Sequence, residues 1–144
     1  MYDLFIVHYW HQHADRDRVI DFLDNNLGFK WRNFSNTWYD PVIHIKSDAG
    51  GALLKRHLEG HVLACNAVIL VPSLYTQSSF ARTWIDFTIA LCRDNAIPII
   101  GILLGGENTP SEGMSGLADM WGNLDDLIPS LVGLNENKDC FTPL

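Results

Sequence analysis

The sequence predicts an α/β domain built on a parallel sheet. Three observations carry that reading. Short continuous apolar runs recur along the chain, as Leu4-Phe5-Ile6-Val7, Ala67-Val68-Ile69-Leu70-Val71 and Ile99-Ile100-Gly101-Ile102-Leu103-Leu104, which is the pattern of strands buried on both faces. Segments with helical apolar spacing separate them, so strand and helix alternate about five times. The chain has 144 residues, 47% of them hydrophobic, which suits one domain of roughly 100–200 residues. No repeat or linker interrupts it, and residues 1–144 read as a single domain. Right-handed crossovers then place helices on both faces of the sheet.

Each element has its own local signature. The run at residues 4–7 is the first strand. Val19, Ile20, Phe22, Leu23 and Leu27 recur at helical spacing, with Asp15 ahead of them as a cap and Gly28 behind them as a stop. Residues 29–34 alternate apolar and polar, which predicts a strand near the sheet edge. The irregular stretch from Ser35 to Gly51 is too long for an ordinary connection, and such loops are often functional. A second helix is expected over residues 51–60, with Leu53, Leu54 and Leu58 facing the core. Pro72 ends the strand at residues 67–71. Ser78 and Ser79 are candidate caps for a helix whose apolar face includes Phe80, Trp84, Ile85, Phe87 and Leu91. After the strand ending at Leu104, residues 105–116 are rich in Gly, Ser, Glu and Pro and predict a surface loop. A fifth, weaker strand falls at residues 117–121. Asn123 is the expected N-cap of a final helix over about residues 123–132, which Pro129 should shorten or kink.

Composition excludes several function classes. The formal net charge is −7, and phosphate-neutralising clusters of Lys and Arg are lacking, so a general nucleic-acid binder is disfavoured. A small nucleotide stays compatible, because backbone amides and helix N-termini bind phosphate without net positive charge. The longest apolar run, residues 96–104, falls short of the ~20 residues a membrane helix needs and contains Pro98 and Gly101. No basic segment precedes an apolar stretch at the start, so no secretory signal is expected. Cys65, Cys92 and Cys140 are odd in number and widely spaced, which fits neither a disulfide framework nor a cysteine zinc site. Cys65 and Cys92 read as small core residues, and a reducing, cytoplasmic location is expected. No G-x-G-x-x-G follows the first strand, no P-loop motif occurs, and no G-x-S-x-G elbow is present.

Ligands of parallel α/β sheets bind beyond the carboxyl ends of the strands, where the strand order reverses. The loops after Val7, Phe34, Val71 and Leu104 are therefore the places to search. His8-Tyr9-Trp10-His11-Gln12-His13 follows the first strand, and its histidine spacing matches no standard zinc site. His8 and Trp10 are candidate pocket residues by position. Asn33, Ser35, Asp40 and His44 form a second group, able to hydrogen-bond a ribose or to serve turns and caps. A third group contains Trp84, which either stacks on a base or packs in the core. Asp86 and Thr88 are two residues apart on that helix, on roughly opposite sides.

Five pieces of the chain together match a known family. They are Tyr2-Asp3-Leu4-Phe5-Ile6-Val7-His8-Tyr9-Trp10, Phe29-Lys30-Trp31-Arg32-Asn33-Phe34-Ser35 with Asp40-Pro41, the strand at 67–71, Thr83-Trp84-Ile85, and the strand at 97–102. In this order they resemble the TIR-like domain family that includes the ThsB proteins of bacterial Thoeris anti-phage systems. The resemblance implies a flavodoxin-like three-layer sandwich with a five-stranded, mostly parallel sheet, in a bacterial cytoplasmic protein. It implies cleavage of NAD at the nicotinamide–ribose bond, with an ADP-ribose-derived signal reaching an effector protein after a phage trigger. NAD is then substrate or ligand, with no further cofactor or metal, and self-association into a homo-oligomer stays open. Substrate contacts would come from His8, Trp10, Asn33, Ser35, Asp40 and Trp84. The family glutamate four residues beyond the helix tryptophan falls here on Thr88. A hydroxyl supplies no negative charge to an oxocarbenium-like ribose, and losing such a group costs roughly 10²–10³-fold in rate. Asp86 or Asp40 would have to replace it. The alternative is a catalytically silent nucleotide-binding or assembly module.

Overall fold

The computed structural model of the chain describes residues 1–7, 14–35, 48–72, 79–105, 109–110 and 113–141, with the backbone alone for residues 48–51, 53–54, 79–81 and 135–141. Strand β1 (Tyr2–Ile6) lies inside the sheet, and its Leu4, Phe5 and Ile6 are at most 1% exposed. The apolar runs β3 (Ala67–Leu70) and β4 (Ile99–Ile102) are buried at every position. Strands β2 (Trp31–Asn33) and β5 (Met120–Gly122) are only partly buried and form the edges. The order is β2-β1-β3-β4-β5 and every pairing is parallel. The chain thus has the expected flavodoxin-like α/β architecture, with the sheet parallel throughout.

Register at the β2 edge is held by charge as well as by backbone. Asp3 and Arg32 are partners across β1 and β2, and the guanidinium grips the carboxylate through two hydrogen bonds of 2.6 and 2.8 Å. This bidentate contact holds the Asp3 carboxyl below its usual range. Asp3 N–H also donates to Asn66 Oδ1 at 2.7 Å, tying β1 to the start of β3.

Helix α1 (Ala14–Asp24) and helix α4 (Leu124–Phe141) pack together on one face, and α2 (Asp48–Val62) and α3 (Ser79–Asp94) pack together on the other. Right-handed crossovers explain the division: β1 leads leftward to β2 through α1, whereas β2 and β3 lead rightward through α2 and α3. The core joins β1, β3 and β4 to Val19 and Leu23 of α1, Leu58 and Val62 of α2, Ile85, Ile89 and Cys92 of α3, and Leu127 and Leu131 of α4.

Several local expectations change. Strand β2 is three residues long, registered against Tyr2, Asp3 and Leu4, so the alternating pattern at residues 29–34 overreaches it at both ends. Helix α1 ends at Asp24, so Leu27 falls in the following turn and is 94% exposed rather than core-facing. Asn26 closes that end by donating from Nδ2 to the Phe22 carbonyl at 2.6 Å, a task assigned from sequence to Gly28. Asp15 lies inside the first turn and not before it. On α3 the fully buried stripe is Ile85, Thr88, Ile89 and Cys92, while Trp84, Phe87 and Leu91 are half-buried at its margin. Helix α4 continues through Pro129 to Phe141. Among the described residues no helix is long and apolar enough to cross a membrane.

Candidate functional site at the carboxyl edge of the sheet

Strand order reverses between β1 and β3, whose neighbours lead off in opposite directions. The carboxyl ends of these two strands therefore mark the place where such folds take ligands. Val7 extends β1 by donating to the Ile69 carbonyl at 2.9 Å, and Phe34 extends β2 by donating to the Leu4 carbonyl at 2.9 Å. These two bonds carry the ladder up to the edge of the site.

The next residue, Ser35, is fully buried. Its N–H donates to Asn33 Oδ1 at 2.9 Å, and its hydroxyl donates to the same oxygen. Asn33 and Ser35 are thus brought together by an Asx-type turn, the local chemistry expected of these residue types. Their shared oxygen is occupied twice and Ser35 is enclosed, so the amide nitrogen of the partly buried Asn33 is what this turn can offer a ligand.

Sequence patterning passes over a third participant. Arg16 is only 8% exposed, and its Nη2 donates to the Ser35 carbonyl at 3.2 Å. It sits three and seven residues before Val19 and Leu23, on the buried stripe of α1. That phase is the one signal in the sequence: an arginine at a core-facing helical position, in a first turn where a cation is disfavoured. Burial makes its proton easier to lose than that of a solvated guanidinium, partly offset by Asp17.

The residues proposed on α3 are separated. Thr88 is 3% exposed, and its hydroxyl donates to the Trp84 carbonyl one turn earlier at 3.0 Å. Trp84 is half-buried, edge-on to Phe87 at 6.1 Å between ring centroids. Asp86 is exposed. Helical geometry keeps Asp86 and Thr88 on different sides, as their two-residue spacing requires. His8, Trp10, Asp40 and His44 lie outside the described residues.

The described thiols are poor nucleophiles. Burial pushes the Cys65 and Cys92 thiols up to about 12, so both stay protonated at neutral pH. Among the described residues no group of three or more His, Cys, Asp and Glu is placed to hold a metal ion. Two shallow cavities, about 450 and 400 Å³, open at the opposite, amino edge of the sheet, the first beside Tyr2 and Ile128 and the second beside Ala96 and Asp119. Neither adjoins the crevice at the reversal of strand order.

No family model and no curated protein matches the chain. Solved structures do. A conserved protein from Enterococcus faecalis V583 aligns with a TM-score of 0.58 at 10% identity, covering 92% of this chain and 98% of that one. A 2-deoxyribosyltransferase from the psychrotolerant bacterium Bacillus psychrosaccharolyticus aligns with a TM-score of 0.54 at 13% identity, covering 90% of this chain and 95% of that one. At such identities the chain is similar to these proteins in fold, over nearly its whole length.

Proposed function

We propose that the chain handles a nucleotide at the carboxyl edge of its sheet and cleaves an N-glycosidic bond. In the TIR-like reading that bond is the nicotinamide–ribose bond of NAD, in the service of anti-phage signalling through an ADP-ribose-derived product. The observation that carries the proposal is the cluster of Asn33, Ser35 and Arg16, polar groups turned inward beside the reversal of strand order. The 2-deoxyribosyltransferase of similar fold, a suitable biocatalyst for the synthesis of nucleosides, adds support.

The chemistry asks for modest equipment. The C1′–N bond breaks with its electron pair leaving on the nicotinamide nitrogen, which ends that ring's positive charge. The oxocarbenium-like ribose is then captured by water, with loss of a proton, or by an internal nucleophile. Holding the ribose and phosphates in one geometry supplies a large share of the rate, and a carboxylate near C1′ supplies most of the rest. Asp86 or Asp40 is the carboxylate assigned to that role, His8, Trp10 and Trp84 are assigned to ring and ribose contacts, and a signalling effector, a phage trigger and self-association complete the reading.

One observation favours a second reading. The Thr88 hydroxyl is buried and engaged with the Trp84 carbonyl, and Asp86 is exposed. With no carboxylate at position 88, the same crevice serves as a nucleotide-binding module that leaves the bond intact. Incubation of the purified chain with NAD and separation of the products decides between them. Catalysis predicts nicotinamide release that is lost in Asp86→Ala or Asp40→Ala and retained in Thr88→Val. Calorimetric binding of NAD without release selects the silent module, and the absence of both overturns the two readings together.

A further inference from the structure

We infer that Arg16 is the anion-binding group of the switch-point crevice, and that its anion is a phosphate or pyrophosphate group of a nucleotide. The identity of the nucleotide rests on the proposed function, whereas the anion site rests on geometry alone.

The Arg16 side chain is 9% exposed although it stands in the first turn of α1. Its contacts do not compensate a buried guanidinium. Nη2 makes one hydrogen bond, to the Ser35 carbonyl, and Nη1 lies 3.8 Å from Asp17 Oδ1, whose side chain is 43% exposed. Nε is out of water and has no hydrogen-bond partner. Leaving a donor of a charged group unsatisfied is costly, because its lost hydration is not repaid. That donor is left for a group the chain itself does not supply.

The surroundings favour an anion for that role. Backbone N–H groups at a helix N-terminus carry partial positive charge, and cations placed there are disfavoured. The first turns of α1 nevertheless carry Arg18 as well as Arg16. Arg18 Nη1 reaches the Leu104 carbonyl at 3.4 Å, beyond β4, while Arg16 reaches Ser35, beyond β2. The two guanidiniums thus span the crevice from one side of β1 and β3 to the other. Asp15 and Asp17 offset part of this charge, with Asp15 lying 3.7 Å from Arg18, but neither carboxylate bonds Nε. In an arginine, Nε and the neighbouring Nη present the fork that grips two oxygens of a tetrahedral oxyanion, and a helix N-terminus adds amide dipoles.

Calorimetry on the full chain at low ionic strength tests this with three probes: inorganic pyrophosphate, ADP-ribose and adenosine. ADP-ribose should bind tightest, pyrophosphate measurably, and adenosine weakest. Arg16→Met should weaken ADP-ribose and pyrophosphate by about 10–100-fold, the usual worth of a charge-assisted hydrogen bond, and leave adenosine unchanged. Arg16→Lys, which keeps the charge without the fork, should fall between. Should neither variant fold, a thermal melt of the unmodified chain decides, and no rise in midpoint with millimolar pyrophosphate overturns the site. Equal ADP-ribose affinity in wild type and Arg16→Met also overturns it, as does adenosine binding as tightly as ADP-ribose. Pyrophosphate binding as tightly as ADP-ribose would overturn the nucleotide assignment in favour of a free-phosphate site. Failure here is separable from failure of the enzyme reading: nicotinamide release untouched by Arg16→Met removes the anion site and keeps catalysis, while Arg16-dependent binding without release does the reverse.

Discussion

His57 and His61 show how residue-scale placement sets a titration. They stand one turn apart on α2 with ring centroids 3.9 Å apart, and His61 Nδ1 lies 3.0 Å from the His57 carbonyl oxygen. Burial, with the neighbouring imidazole, pushes His57 down from 6.5 to about 4. Its folded form stays neutral where the unfolded chain already takes a proton. The resulting contribution to stability is complete above about 6.5 and is lost as pH falls toward about 4. Urea midpoints followed across that window should fall more steeply in the wild type than in His57→Gln. Parallel profiles would show that the pair does not titrate this way. The same reasoning, applied to buried thiols, keeps Cys65 and Cys92 protonated at neutral pH.

At the scale of elements, helix ends depend on a few side chains. Asn123 and Asp126 form a reciprocal cap on α4: Asp126 N–H donates to Asn123 Oδ1 at 3.2 Å, and Asn123 N–H donates to Asp126 Oδ2 at 3.0 Å. Asparagine at this position is the signal that sequence reading uses, and the acid three residues on completes the box. Asn123→Ala should cost about 1 kcal/mol in denaturant unfolding, within the 0.5–2 kcal/mol usual for caps. A loss of only a few tenths, the size expected of an ordinary surface change, would mean that water caps the end equally well. On α3, by contrast, apolar spacing alone misplaces the centre of the buried stripe. Aromatic residues at the margin score as core, whereas Thr88, a polar residue at the centre, does not.

Across the whole molecule, edge strand β5 is seated by one close contact. A Cβ at Gly101 in β4 would overlap the six-membered ring of Trp121, its partner in the ladder. The indole is also held by its Nε1–H, which donates to the Ser115 carbonyl at 3.0 Å. Gly101→Ala should therefore destabilise by about 1–3 kcal/mol through overpacking, seen as a lower melting temperature. The loss should shrink in a Trp121→Leu background; an undiminished loss would place the strain elsewhere. The legible parts of the fold are those where burial is continuous: β1, β3 and β4 stand where their apolar runs lie. The edges are less legible, since β2 and β5 are ended by their ladder partners as much as by composition.

The candidate site divides the same way. The sequence by itself determined the α/β class, the three central strands, the Asn33–Ser35 turn chemistry and the absence of a carboxylate at position 88, because each is a local property of residue type and period. Only the tertiary structure decided that the Thr88 hydroxyl is sealed against a backbone carbonyl, and that Arg16 closes on the end of β2 while Arg18 reaches beyond β4. The Arg16–Ser35 contact joins residues 19 apart and the Arg18–Leu104 contact residues 86 apart. Strand order creates such contacts, and strand order depends on long-range pairing that no local pattern encodes.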